Sequence, residues 1–162
     1  MKKLILFIAA FLFALTPPKE FSAKFTQTIT SQNKKITYKG EVFKKGNEIV
    51  WIYNYPTDKT IWIKDKIYVY EPDLMQLTIA KRKKTTLEDL IKNAKKIKDN
   101  LYETTAENKQ IYFIYDNTLE KIFYDDDLGN KVVINFYDQK KSANENVFKL
   151  NYPKDVDVVY QN

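Results

Sequence analysis

Apolar and polar side chains alternate one by one through much of this chain, most strongly between Ile49 and Ile79. A period of two puts successive side chains on opposite faces of an extended strand, which marks half-buried β-structure. The stretch IVWIYNYPTDKTIWIKDKIYVYEPDLMQLTI holds both tryptophans and four of the twelve tyrosines. Turn signals divide it. Pro56 ends a strand over Ile49–Tyr55 and Thr57-Asp58-Lys59 reverses the chain. Thr60–Lys64 and Ile67–Tyr70 then make a hairpin across Asp65-Lys66, and Asp73-Leu74 leads into Met75–Ile79.

The same period runs upstream. Phe21–Ile29 puts Phe25, Gln27 and Ile29 on one face, a polar turn covers Ser31–Lys35, and Ile36–Phe43 follows with Gly40 marking a bulge or bend. Lys44–Glu48 is a turn around Gly46-Asn47. Past Ile79 the period changes. Leu87, Leu90, Ile91, Ala94 and Ile97 recur at helical spacing, and Thr85 with Glu88 has the form of a capping box, which predicts an amphipathic helix over Thr85–Ile97. Strands resume at Tyr102–Thr105, Ile111–Tyr115, Glu120–Tyr124, Lys131–Tyr137 and Val147–Asn151, with turns at Asp116-Asn117-Thr118 and Asp127–Asn130. Strands joined by short turns are antiparallel. About ten strands and one inserted helix predict a mainly β fold, a barrel or incomplete barrel with the helix across its mouth.

Length and composition support one ordered domain of 162 residues, 44% hydrophobic and 15% aromatic. Its start is different. Met1-Lys2-Lys3 is a basic n-region, Leu4–Leu15 is a run of twelve apolar residues, and Pro17-Pro18 follows. Spanning a bilayer takes about 20 residues, so the run is expected to be a secretory signal peptide over residues 1–14, cleaved near Ala14, with a single domain over residues 15–162. Removing Lys2 and Lys3 from the 27 basic residues leaves 25 against 21 acidic ones. That modest positive charge suits an anionic membrane or an acidic partner, and export makes nucleic acid the weakest candidate.

The chain has no histidine and no cysteine. Ser-His-Asp and Cys-His catalysis, disulfides, a lipid-modified cysteine and His/Cys metal sites are all excluded on that ground. Three glycines cannot build the usual phosphate-cradling loops. Asp125-Asp126-Asp127 lacks the alternate spacing of a calcium loop and reads as a solvated turn. No enzyme, cofactor or metal is expected. One charge cluster stands out: Lys81, Arg82, Lys83, Lys84, Lys92, Lys95, Lys96 and Lys98 against Glu88 and Asp89. It is a solvated face or a docking patch for an anionic membrane or acidic protein.

Several stretches in order resemble the periplasmic lipoprotein carrier family LolA. They are Phe21-Ser22-Ala23-Lys24-Phe25-Thr26-Gln27, Gly40-Glu41-Val42-Phe43, Trp51-Ile52-Tyr53, Tyr55-Pro56, Ile67–Pro72 with Gln76, and Pro153 followed by Val156-Asp157-Val158. The resemblance implies an incomplete antiparallel β-barrel with a helical lid over an apolar cavity, in a soluble, monomeric, periplasmic protein. Its cargo would be acylated lipoproteins, taken from an inner-membrane ABC transporter and passed to an outer-membrane acceptor. Carried over by position, the lining would be Phe25, Ile49, Trp51, Tyr53, Ile61, Ile63, Tyr68 and Tyr70, with Leu87, Leu90, Ile91 and Ala94 on the lid. The residues 81–84, 92, 95 and 96 would serve partner docking. The family's arginine ahead of the tryptophan, which helps hold the lid closed, falls at Lys45, and the family's N-terminal helix is nearly missing. A periplasmic sensor or protein-interaction module on the same half-barrel is the alternative.

Overall fold

Alternation in the sequence becomes strand almost throughout. The computed structural model describes residues 19–82, 93–106 and 108–162. These form twelve strands: β1 Glu20–Ser31, β2 Lys34–Lys45, β3 Glu48–Tyr55, β4 Lys59–Ile63, β5 Lys66–Glu71, β6 Gln76–Lys81, β7 Lys95–Lys98, β8 Leu101–Ala106, β9 Lys109–Asp116, β10 Thr118–Asp125, β11 Lys131–Lys140 and β12 Asp157–Gln161. They hydrogen-bond in the order β12-β6-β5-β4-β3-β2-β1-β11-β10-β9-β8-β7. The order has two ends, so the chain is mainly β and its sheet is open.

The turns follow their residue chemistry. Gly46, between β2 and β3, sits at φ +58, where a side chain would be strained, and its N–H donates to Lys19 O at 2.9 Å. Register slips between Lys39 and Gly40, so the predicted irregularity at Gly40 is present. Between β10 and β11, Asp126 organises the reversal: its carboxylate accepts from Leu128 N–H, Asn130 N–H and the Asn130 amide at 2.8–2.9 Å.

Three expectations are corrected. The described residues hold twelve strands, not ten. The helix over Thr85–Ile97 does not reach Ile97, because Lys95–Lys98 is strand β7, paired with β8 through Lys95↔Glu103 and Lys96↔Tyr102. Pairing satisfies backbone groups along that side of β8, and Asp99, at φ +41, makes the turn. The rest of the expected helix up to Lys92, with Leu87, Leu90 and Ile91, lies outside the described residues. Val147–Asn151 is not a strand: Glu145–Phe148 is a 3-10 turn whose preceding Asn144 accepts from Asn146 N–H at 3.0 Å. The last strand is instead β12, which runs parallel to β6 with Val158 beside Leu77.

The fold divides into two units. One contains residues 25–38 and the described part of 85–137. Its ladder stacks Ile134, Ile122, Phe113 and Tyr102 across β11, β10, β9 and β8, with Val132, Tyr124, Ile111 and Thr104 as the next row. Except for Tyr102, all of these are buried. The other unit contains residues 18–24, the described part of 39–84, and 138–162. It holds the aromatic stretch.

Candidate functional site

Register decides which side chains of the aromatic stretch share a face, since directly paired residues point the same way. From β2 to β5 one row reads Val42↔Trp51↔Ile61↔Val69, and the next reads Lys44↔Ile49↔Ile63↔Ile67. All eight are buried. Tyr53 belongs to the same face, opposite Lys59, whose ammonium lies 5.5 Å from the Tyr53 ring centre. Trp51 and Tyr53 stack with ring centres 6.5 Å apart. Apolar rings and branched chains therefore form one continuous wall across four strands.

The opposite face has its own cover. Val50, Trp62 and Phe148 form a core with Phe43, Ile52, Tyr68, Tyr70, Ala143 and Val147 packed against it. The C-terminal segment after β11 is laid across these side chains and tied there. Trp62 Nε1 donates to Val147 O at 2.8 Å, Lys64 Nζ donates to Phe148 O at 2.8 Å, and Ser22 Oγ donates to Ser142 O at 2.7 Å. Tyr70 meets Tyr152 of the same segment, ring centres 6.4 Å apart.

The eight lining residues expected on strands thus do not all come together. Ile49, Trp51, Tyr53, Ile61 and Ile63 share the wall. Tyr68 and Tyr70 lie on the other face, beneath the C-terminal segment, and Val69 and Ile67 take the wall positions on β5. The cause is the turn. A two-residue turn at Asp65-Lys66 would pair Ile63 with Tyr68. The ladder instead pairs Ile63 with Ile67, and Lys64 N–H donates to Lys66 O at 2.8 Å. One residue of slip inverts every side chain of the strand. Phe25, in the other unit, is fully buried on β1.

Lys45 points to the covered face and pairs with Glu145 of the C-terminal segment. The shared hydrogen bond raises the lysine pKa and lowers that of the glutamate. The lid residues Leu87, Leu90 and Ile91 lie outside the described residues, and Ala94 is in no regular element. The wall carries a different lysine. Lys44, only 6% exposed, is paired with Ile49, and burial lowers its pKa. Pairing across a two-residue turn at Gly46-Asn47 finds it, since Lys45 then faces Glu48 and Lys44 faces Ile49. The turn expected over Lys44–Glu48 is shorter than that, because β2 runs on to Lys45 and so carries Lys44 onto the wall.

The basic cluster is divided as well. Arg82 is built into the fold, donating to Lys64 O at 2.9 Å and Asn47 O at 3.1 Å, whereas Lys81 is exposed at the end of β6. Lys95 and Lys96 are exposed on β7 in the other unit, and Lys83, Lys84 and Lys92 lie outside the described residues. Among the described residues no group of three or more metal-ligating side chains gathers.

Comparisons with known proteins follow the same line. No family model matches the chain. The outer-membrane lipoprotein carrier protein of Helicobacter pylori (strain J99) is 35% identical over 152 residues, covering 88% of this chain and 81% of that protein. The protein of the same name from Campylobacter jejuni is 31% identical over 144 residues, covering 86% and 85%. Among solved structures, an uncharacterized conserved protein from Thermus thermophilus superposes with a TM-score of 0.56 at 14% identity, covering 89% of this chain and 91% of that one. A LolA superfamily protein from Nitrosomonas europaea gives 0.52 at 14% identity, covering 90% and 96%. These two likenesses are of fold.

Proposed function

Because this chain belongs to the outer-membrane lipoprotein carrier protein family, we propose that it is a soluble periplasmic carrier that holds the acyl chains of lipoproteins against the Trp51 face in an apolar cavity. The observation that carries this reading is the buried wall itself. Val42, Trp51, Ile61 and Val69 form an apolar row across four strands, on the face that the C-terminal segment does not cover.

The energetics explain why such a wall suits the task. Each methylene moved out of water is worth about 0.8 kcal/mol, so a long acyl chain exposed to water costs on the order of 10 kcal/mol. A carrier must offset most of that and still bind less tightly than a bilayer, or cargo would never leave. Side chains that make no directional bond to a hydrocarbon meet both demands. Cargo would come from an inner-membrane ABC transporter and go to an outer-membrane acceptor. Lys81, Lys95 and Lys96, exposed and cationic, are the described positions available for docking to such partners. Reactions are no part of this role, so the protein acts as a binder and not as an enzyme.

Depletion of the protein in its own host, followed by fractionation of inner and outer membranes, tests the reading. Lipoproteins should accumulate in the inner membrane. Correct sorting in depleted cells, with no acylated lipoprotein co-purifying with the tagged protein, would refute it.

A further inference from the structure

The sheet order ends in two strands that have no further neighbour among the described residues, β7 and β12. A strand in that position presents a row of unpaired N–H and C=O groups, which proteins blunt with lysine, proline or a bulge. β7 is blunted. It carries Lys95, Lys96 and Lys98, and its register to β8 shifts between Lys96 and Lys98. β12, Asp157-Val158-Val159-Tyr160-Gln161, has no lysine, no proline and an unbroken register to β6. Tyr160 is 74% exposed and Val158 40%.

The direction of its backbone groups follows from one bond. Asp157 N–H donates to Met75 O at 2.8 Å, on the β6 side. Backbone groups of successive strand residues point to alternate sides, so Val159 and Gln161 also turn to β6, and the N–H and C=O of Val158 and Tyr160 face outward. Val158 is paired with Leu77 and through it with Tyr70, on the face that the C-terminal segment covers. Val159 is paired with Thr78 and through it with Val69, so it ends the Val42–Trp51–Ile61–Val69 row.

This strand is complementary to itself. A second β12 laid antiparallel, with the two Val159 residues opposite each other at a two-fold axis, puts Val158 opposite Tyr160 and Asp157 opposite Gln161. Val158 and Tyr160, whose backbone groups face outward, exchange hydrogen bonds in both directions. Their side chains form a branched–aromatic cross-strand pair, a favourable combination. Asp157, the one charged side chain of the strand, meets a neutral amide, so no like charges oppose each other.

We propose that the open edge of β12 is a self-association surface, through which two copies of this chain pair antiparallel about Val159 into one continuous sheet. A two-fold axis perpendicular to the sheet keeps like faces on the same side, so the two Trp51 faces lie side by side. Five residues make a small interface, at the weak end of specific association. The pair therefore forms in concentrated protein, and the monomer implied by the family resemblance is its dilute form.

Sedimentation equilibrium of the mature protein, from about 10 μM to about 1 mM, tests this. The mean mass should rise with concentration toward that of two chains. Tyr160→Lys should stay monomeric throughout, while unfolding in urea and binding an acyl probe, dansyl-labelled undecanoic acid, as the wild type does. The Gln161 variants read the register. Gln161→Lys faces Asp157 of the second copy with a cation and should tighten the pair severalfold, a gain that salt erases. Gln161→Asp sets two carboxylates opposite each other and should weaken it by a similar factor. A wild type that stays monomeric up to about 1 mM overturns the inference, as does a dimer indifferent to Tyr160→Lys or one that both Gln161 variants alter in the same direction. p-Benzoylphenylalanine at position 160 that captures a different protein in the host, and never a second copy, overturns the choice of occupant.

Discussion

The two faces of the aromatic sheet can be separated by removing one side chain. Phe148 is 6% exposed and packs against Val50 and Trp62, which are 0% and 3% exposed. Replacing it with alanine removes a ring from a closed contact, and buried Phe→Ala changes cost roughly 3–5 kcal/mol. The 3-10 turn that carries it is short and can settle toward the sheet, which favours the lower half of that range. Against this, the hydrogen bonds to Val147 O and Phe148 O loosen as the segment shifts, each worth about 1 kcal/mol. We expect a loss of about 4 kcal/mol, a large share of the roughly 5–15 kcal/mol typical of a domain. The assay is urea unfolding followed by tryptophan fluorescence. Trp51 and Trp62 lie on opposite faces, so each can serve alone as reporter, in Trp62→Phe and Trp51→Phe backgrounds. Phe148→Ala should red-shift native emission from Trp62 and leave that from Trp51 unchanged, and the folded variant should bind the acyl probe with unaltered affinity. A cost under about 1 kcal/mol, well below the range for a buried ring, or an equal shift of Trp51 emission, would refute the assignment of faces.

Other positions give independent checks. Val69→Ala should weaken acyl-probe binding severalfold, whereas Tyr70→Phe, on the covered face, should leave it unchanged; the reverse result would restore the register of a two-residue turn. Lys44 has a folded pKa below its unfolded one. The unfolded chain therefore binds more protons in the interval just below the ordinary lysine value, and stability gained there as pH rises is lost again as pH falls. Lys44→Met should lack that slope, measured as the difference from wild type in urea midpoints between neutral and alkaline pH. At Asp126 burial pushes the carboxyl pKa up but is outweighed by hydrogen bonds from the Asn130 side chain, Asn130 N–H and Leu128 N–H and by Lys109, so the net shift is downward. Its stabilising effect is full above the ordinary carboxylate value and is lost as pH falls through the lowered one. Asp126→Ala should cost roughly 1–2 kcal/mol at neutral pH and remove that acid dependence, measured by thermal unfolding.

Much of the architecture can be read from the chain because half-buried strands advertise themselves by alternation. The hairpin turn at Gly46, the irregularity at Gly40, and the common face of Ile49, Trp51, Tyr53, Ile61 and Ile63 all follow from local pattern. The orientation of β5 does not. Ile67-Tyr68-Val69-Tyr70 is apolar or aromatic at every position, so alternation cannot choose a phase, and the choice passes to the length of a polar turn. Tyrosine compounds the difficulty, since its ring suits a wall and its hydroxyl suits the half-exposed margin where Tyr68 and Tyr70 lie. The C-terminal segment resists reading for a related reason. Val147 and Phe148 are apolar neighbours that both pack on the Trp62 face, which a strand would forbid and a 3-10 turn allows. Lys-Lys-Ile-Lys at 95–98 continues a helical spacing on paper, while the backbone of β8 offers it a strand partner that no local pattern reveals.

Photo-crosslinking from the two faces tests the central claim most directly. p-Benzoylphenylalanine placed at Tyr53, on the wall, or at Tyr70, beneath the C-terminal segment, exchanges one ring for another. Irradiated with a lipoprotein bearing radiolabelled acyl chains, the protein should capture label from position 53 and not from position 70, and only when the lipoprotein is acylated. Capture from position 70 alone, equal capture from both, or capture of the unacylated protein would contradict an acyl-carrying wall built on Trp51.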